Sequence, residues 1–181
     1  MRIKPKVLNI ETIATTRIFN IERIDLEFSN GEKRQYERLK PPGKGAVLVI
    51  PMLDDDTVLM TYEYSGGTDR YELALTKGKI DMGEEPIEAA NRELIEEIGY
   101  GAKNLTFVKT MTLAPGYQTN ITHIILAQDL YEASAEGDEP EPIEVVEYKL
   151  SELETLVYNE DLTEARSIAA LYMAREIIKN Q

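Results

Sequence analysis

The sequence of 181 residues contains no cysteine and a single histidine, His123. The absence of cysteine excludes disulfide bonds, thiolate nucleophiles and zinc–thiolate sites. One histidine leaves little material for a serine-type catalytic triad together with any second histidine-dependent site. Catalysis by this chain is therefore expected to depend on carboxylates.

Long apolar runs are also missing. No segment approaches the roughly 18 apolar residues that a membrane-spanning helix needs, and the first residues, MRIKPKVLNIETIATTR, lack the apolar centre of a signal peptide. We expect a cytoplasmic protein without a membrane partner. An apolar fraction of 43% is sufficient for one globular domain spanning residues 1–181.

Basic residues are scarce, with 20 Lys and Arg against 33 Asp and Glu and a net charge of −13. Such a chain repels duplex nucleic acid, so no nucleic-acid partner is expected. Clustered carboxylates can nevertheless capture divalent cations, and the cations can carry a phosphorylated substrate. For most of the acidic residues the simpler interpretation applies, namely that they keep the protein in solution.

Alternating apolar and polar residues predict short strands in the first third of the chain. One begins near Val7 and another covers residues 24–28, followed by an Asn30-Gly31 hairpin turn and a return strand. After a proline-rich break, residues 46–52 are expected to form a buried strand. Residues 58–64 are predicted to be its partner across an Asp-rich turn.

The middle and end of the chain combine helices with further strands. Pro86 suits the first helical position and Gly99 suits the residue past a helix end, with apolar residues at helical spacing between them. Strands are expected near residues 107–111, 122–127 and 145–150. Two closing helices are expected to begin near Ser151 and Thr163. The pattern predicts an α/β protein in which helices pack on a mixed sheet.

The most informative segment is GKIDMGEEPIEAANRELIEEIGY, residues 78–100. At about 100° of rotation per helical residue, Glu93, Glu96 and Glu97 share one arc of the helix. Such close like charges raise one another's pKa and weaken a helix unless cations compensate them. Carboxylate oxygens suit Mg²⁺, and Mn²⁺ is a second possibility. The alternative is a solvated helix face, which describes most glutamate clusters.

The spacing in this segment resembles the Nudix box, G-x5-E-x7-R-E-U-x-E-E-x-G-U, where U is bulky and apolar. The fixed positions are filled by Gly78, Glu84, Arg92, Glu93, Leu94, Glu96, Glu97, Gly99 and Tyr100. Tyr100 is a slightly unusual occupant of the last apolar position. The resemblance implies a Nudix-type α/β/α sandwich in which a strand-loop-helix-loop holds one to three divalent cations.

Residue roles follow from the resemblance by position. Glu93 and Glu97 are the implied principal metal ligands, with Glu96 and the backbone carbonyl of Lys77 as further ones. Arg92 and Glu84, with Gly78 in the loop, are implied to support these ligands rather than to bind metal. A plain surface ion pair between Arg92 and Glu96 is the alternative, and it would still orient a ligand.

The flanking segments are similar to the ADP compounds hydrolases of the NudE type and to ADP-ribose pyrophosphatases. This similarity implies cleavage of ADP-ribose, NADH and diadenosine polyphosphates to AMP and the phosphorylated remainder. Pro115 lies close to a marker proline of the ADP-ribose group. Ser65 stands where many of these enzymes have arginine, and Lys77 ends a segment that departs from their usual sequence. The substrate contacts that those enzymes make from this region are therefore not assigned to residues of this chain.

The general base is expected in the acidic loop before the last strand, where related hydrolases place theirs. Glu141, flanked by two prolines, is the first candidate, Glu139 the second, and Glu96 the candidate if neither acts. A solvated loop without a catalytic part is the alternative.

The resemblance also implies a homodimer in which a β extension, residues 1–38, packs across the partner. Two other functions remain open. One is a Nudix hydrolase of another nucleoside diphosphate derivative, such as a nucleotide sugar, or of a nucleoside triphosphate. The other is a catalytically silent ligand sensor, which the complete set of box carboxylates argues against.

Overall fold

The structure, a computed structural model, describes residues 2–135 and 140–181. Within these residues the strands are β1 (Lys6–Thr15), β2 (Asn20–Glu27), β3 (Lys33–Lys40), β4 (Ala46–Pro51), β5 (Thr57–Ser65), β6 (Arg70–Ala74), β7 (Lys77–Lys79), β8 (Tyr100–Thr112), β9 (Ile121–Glu132) and β10 (Glu144–Lys149). The α-helices are α1 (Pro86–Ile98), α2 (Leu153–Leu156) and α3 (Ala165–Ile178), and Leu150–Glu152 forms a short 3₁₀ helix before α2.

The described strands form three sheets. A mixed sheet has the order β7-β4-β9-β8, in which β4 runs parallel to β9 and antiparallel to β7. A second, antiparallel sheet has the order β10-β5-β6, and β1, β2 and β3 form an antiparallel sheet of their own at the N-terminal end. The predicted α/β fold with a mixed sheet and an N-terminal β extension is confirmed.

Strand β4 lies between two layers of core. Val47 and Val49 face the core cluster that contains Leu94 of α1, whereas Leu48 and Ile50 face the cluster that contains α2, α3 and the second sheet. Alternate residues of a strand point to opposite faces, so a strand buried on both sides must be apolar throughout. This arrangement is the predicted α/β/α sandwich, and it fixes α1 against one face of the mixed sheet.

The predicted pairing of residues 46–52 with residues 58–64 is wrong. β4 pairs with β7 and β9, whereas β5 pairs with β10 and β6. Among the described residues, the backbone pairing between the two predicted partners is limited to an isolated bridge between Met52 and Val58. Both edges of β4 are occupied, one by β7 and the other by β9, so no edge of β4 is left for β5. Asp54 accepts hydrogen bonds from the backbone N–H groups of Asp56 and Thr57 at 2.8 and 2.6 Å, and the chain leaves this turn in the second sheet.

The closing helices begin two residues later than predicted, at Leu153 and Ala165. The N-cap of α3 is Glu164 and not Thr163, because the Glu164 carboxylate accepts the N–H of Ser167 at 2.7 Å. Thr163 instead donates its hydroxyl hydrogen to Glu72 on β6.

Among residues 2–135 and 140–181, none of the helices has the length and apolar character that a membrane span requires.

The N-terminal sheet carries an exposed apolar surface. Every residue of β1 is exposed, including Val7, Leu8, Ile10 and Ile13. The sheet is attached to the rest of the fold at its other edge, where the backbone of Leu39 exchanges hydrogen bonds with the turn around Tyr117. The exposed strand β1 therefore forms one edge of this sheet, and β3, which is attached to the rest of the fold, forms the opposite edge.

Candidate active site

Helix α1 has well-defined ends, which fix its rotation on the mixed sheet. Glu85 and Glu88 form a reciprocal capping box, with the Glu85 N–H donating to the Glu88 carboxylate at 3.0 Å, and Pro86 follows the cap. Gly99 closes the helix in the left-handed conformation, at φ 74°, and its N–H donates to the carbonyl of Leu94. With Leu94 buried, the glutamates of the last two turns are directed to one side of α1.

Gly78 on β7 makes room for the carboxylate of Glu93. A Cβ atom at position 78 would lie 1.9 Å from the carboxyl carbon of Glu93 and 2.0 and 2.2 Å from its oxygens. Any side chain at this position would therefore displace Glu93. The carboxylate is buried directly over the loop backbone, which gives a physical reason for glycine at this position.

Arg92 gathers the surrounding carboxylates. Its guanidinium donates to Glu84 at 3.0 and 3.1 Å, to Glu96 at 2.8 Å and to the backbone carbonyl of Lys79 at 2.9 Å, and it pairs with Glu93 at 2.9 Å. The Arg92 guanidinium holds the pKa of Glu84 below its usual value. The structure thus brings Arg92 together with Glu84, Glu93 and Glu96, as the sequence led us to expect.

The glutamates of α1 are not arranged as a ready ligand set. In the described part of the chain, no three Asp, Glu or His side chains are grouped so that they could hold one metal ion. Glu93 and Glu96 both pair with Nη1 of Arg92, at 2.9 and 2.8 Å, and the charge of Glu93 acts on Glu97. A cation at this site would have to compete with the guanidinium for these oxygens.

Glu97 is the residue that best fits a bound cation. Burial, as the largest cause, and the nearby charges of Glu93 and Glu63 raise its pKa to about 8, although the Lys77 side chain and the Lys77 N–H act in the opposite direction. One carboxylate oxygen, Oε2, is buried without a hydrogen-bond partner among the described residues. A buried acceptor without a donor is unfavourable unless a cation or water satisfies it. An all-oxygen set of this kind suits Mg²⁺ or Mn²⁺.

Two groups at this site were not anticipated. The Lys77 ammonium donates to Glu63 on β5 at 2.5 Å, and both side chains act on the charge of Glu97. The resemblance implies a role only for the backbone carbonyl of Lys77, whereas the N–H of the same residue also acts on Glu97. Glu63 carries no local sequence signal, because it reaches the site from a different sheet.

Two cavities lie along β5 and share lining residues. One, of about 350 Å³, is lined by β5, by Tyr71 of β6 and by residues 140–144. The other, of about 390 Å³, is lined by β5, by Lys77 and by the N-terminal end of α3. Glu63 and Tyr64 line both cavities.

The acidic loop contributes Glu141 to the first cavity. The hydroxyl of Tyr71 donates to Glu141 Oε1 at 2.6 Å. Glu139, the second candidate base, lies outside the described residues. Glu96, the remaining candidate, is bound to Arg92 and does not line either of these cavities.

Comparisons with known proteins agree with this architecture. Residues 43–172 match the model of the NUDIX domain, and residues 5–38 match that of the NudE-type Nudix hydrolase N-terminal domain. The chain is 49% identical to ADP compounds hydrolase NudE of Escherichia coli, over 98% of this chain and 95% of that protein. It is 35% identical to an ADP-ribose pyrophosphatase of Bacillus subtilis, over 92% of each chain.

A solved structure described as ADP compounds hydrolase superposes with a TM-score of 0.92 at 48% identity, covering 100% of this chain and 97% of that one. The chain therefore belongs to the Nudix family, and it is a Nudix pyrophosphohydrolase. Within the family its N-terminal segment is of the NudE type.

Proposed function

We propose that the protein hydrolyses ADP-linked compounds, namely ADP-ribose, NADH and diadenosine polyphosphates, to AMP and the phosphorylated remainder, in a reaction that requires Mg²⁺. The observation that carries this proposal is the buried, unsatisfied Glu97 oxygen beside Glu93. The relatives named for ADP compounds and ADP-ribose support the substrate class.

The metal site of this proposal consists of Glu93 and Glu97, with Glu96 and the Lys77 carbonyl as further ligands. When bound, a divalent cation neutralises charge that develops on the pyrophosphate and lowers the pKa of water, so that hydroxide is available near neutral pH. Mn²⁺ is expected to replace Mg²⁺, because both accept octahedral oxygen ligands. Arg92 holds the side chains of Glu93 and Glu96 through ion pairs at 2.9 and 2.8 Å.

Glu141 is the proposed general base. Water attacks one phosphorus atom, the phosphorus–oxygen bond of the bridge breaks, and the proton of the water passes to the Glu141 carboxylate. We expect Glu141→Gln to slow single-turnover hydrolysis while leaving the Mg²⁺ titration unchanged, because a base acts on the chemical step and a ligand on occupancy. Glu139→Gln is the comparison. If neither variant slows the chemical step, Glu96 becomes the first candidate.

The substrate class is tested by product analysis. Purified protein is incubated with ADP-ribose, NADH and diadenosine tetraphosphate, with a nucleotide sugar and ATP as comparators, in Mg²⁺ or in chelator. We expect AMP from the first three substrates in Mg²⁺ alone. Faster turnover of the nucleotide sugar or of ATP would favour the alternative hydrolase, and binding without turnover would favour a silent sensor.

The proposal includes a homodimer formed through the N-terminal extension, residues 1–38. The exposed apolar residues of β1 are its support, because contiguous apolar surface of this kind is typical of protein interfaces. The Val7→Asp, Ile10→Asp double variant is expected to shift the mass measured by light scattering from dimer to monomer. A parent protein that is monomeric at micromolar concentration would contradict this part of the proposal.

The expected cytoplasmic location also remains part of the proposal, since the proposed substrates are cellular nucleotides.

A further inference from the structure

Tyr71 has a defined position on β6. It lies directly opposite Tyr64 of β5 in the antiparallel ladder, and the two rings make an edge-to-face contact with centroids 5.8 Å apart. Cross-strand aromatic pairs of this kind restrain both rings. The Tyr64 hydroxyl is occupied by Asp69 at 2.6 Å, whereas the Tyr71 hydroxyl reaches out of the sheet to Glu141 at 2.6 Å.

Glu141 has little else to restrain it. It is exposed and lies between Pro140 and Pro142, whose rings fix backbone φ angles, but its own side-chain torsions remain free to rotate. Among residues 2–135 and 140–181, the Tyr71 hydroxyl is the group that hydrogen-bonds the Glu141 carboxylate. The position of the carboxylate in the cavity therefore depends on a phenol that belongs to the rigid sheet.

The protonation of this pair suits a positioning contact. The hydrogen bond to Glu141, as the largest cause, raises the pKa of Tyr71, so the phenol remains a donor at neutral pH. One oxygen of Glu141, Oε1, accepts this bond, and the other oxygen is left to accept a proton from water. Glu141 and Glu63 line the same cavity, and Glu63 also accepts a hydrogen bond from the Lys77 ammonium at 2.5 Å.

We propose that Tyr71 is a positioning residue that holds Glu141 in the cavity for proton transfer. This inference rests on the proposed role of Glu141 as general base. A carboxylate held by a rigid donor samples fewer rotamers, so a larger fraction of bound substrate molecules meets a correctly placed base. The simpler alternative is that Tyr71 only packs the loop onto the sheet, which would affect stability and not the chemical step.

The test is a double-mutant cycle on single-turnover hydrolysis of ADP-ribose at saturating Mg²⁺. Tyr71→Phe keeps the ring and removes the hydroxyl, and we expect the rate to fall about ten-fold. This is smaller than the roughly hundred-fold or greater contribution of a general base, because the base itself is still present. KM and the Mg²⁺ concentration for half-maximal rate should change less than about two-fold, since neither depends on proton transfer. In a Glu141→Gln background, Tyr71→Phe should have no further effect.

Tyr64→Phe is the matched control, because it removes a hydroxyl with a carboxylate partner from the neighbouring strand. Its effect is expected to be the same in the parent and Glu141→Gln backgrounds. If the Glu141→Gln variant is slow but the Tyr71→Phe variant keeps the parental rate, the positioning role of Tyr71 is overturned and the base assignment is not. Equal Tyr71→Phe effects in both backgrounds would also overturn it. A Glu141→Gln that keeps the parental rate would overturn the base assignment itself, while AMP release by the parent would still stand.

Discussion

Replacing Gly78 with alanine would test the close approach of the loop to Glu93. The added Cβ would lie 1.9 Å from the carboxyl carbon of Glu93. Contacts of a Cβ atom shorter than 3.0 Å are essentially never found, so the Glu93 carboxyl group would have to move by about 1 Å. The atoms in the way are the far end of a flexible side chain, so the fold can yield, and we expect a loss of roughly 1 kcal/mol in unfolding free energy. A misplacement of about 1 Å in a catalytic site can reduce the rate on the order of a hundred-fold.

The assay is Mg²⁺-dependent AMP release from ADP-ribose, measured beside urea unfolding of the same preparations. Gly101→Ala is the matched control, because its Cβ would meet the Tyr131 ring at 2.4 to 2.9 Å, a similar clash at a position that lines neither cavity. We expect both variants to lose some stability and only Gly78→Ala to lose activity. Parental activity in Gly78→Ala, or an equal loss in Gly101→Ala, would refute the reasoning.

Two further predictions concern stability. Mg²⁺ should raise the melting temperature of the parent, because it binds the folded site, and should raise that of a Glu93→Gln, Glu97→Gln double variant much less; equal rises would indicate screening of the acidic surface. Hydrogen bonds from Arg70 and Thr163 lower the pKa of Glu72 to about 2, so its stabilisation is present above about pH 4.5 and is lost as the pH falls towards 2. Glu72→Gln should therefore reduce the unfolding free energy by about 1 kcal/mol at pH 7, allowing for the half-exposed Arg70, and by less at pH 3. A difference that does not shrink with falling pH in urea titrations would contradict this assignment.

The elements that could be predicted from sequence are those with local signals. Helix α1 is predicted correctly from Pro86, Gly99 and its apolar spacing, and the β2–β3 hairpin from Asn30-Gly31. The partner of β4 was predicted wrongly, because pairing between strands is decided by contacts far apart in sequence. The short strands β6 and β7 carry too few residues for an alternation pattern to be distinctive.

The same distinction applies to the candidate site. The residues of the 78–100 segment lie close in sequence, so their spacing was sufficient to single them out. Glu63 and Tyr71 come from strands β5 and β6, and their contacts with Lys77 and Glu141 depend on tertiary structure.

The proposed role of Glu97 is that of a ligand in a metal site at which the pyrophosphate of ADP-linked compounds is cleaved. The most direct measurement is the rate of AMP formation from ADP-ribose over a Mg²⁺ titration for the parent, Glu97→Gln and Glu176→Gln, a control that removes the same charge from an exposed position on α3. We expect AMP from the parent in Mg²⁺ and not in chelator, a parental rate for Glu176→Gln, and a loss on the order of a hundred-fold or more for Glu97→Gln. Near-parental AMP formation by Glu97→Gln, or AMP release by the parent in chelator, would contradict the account.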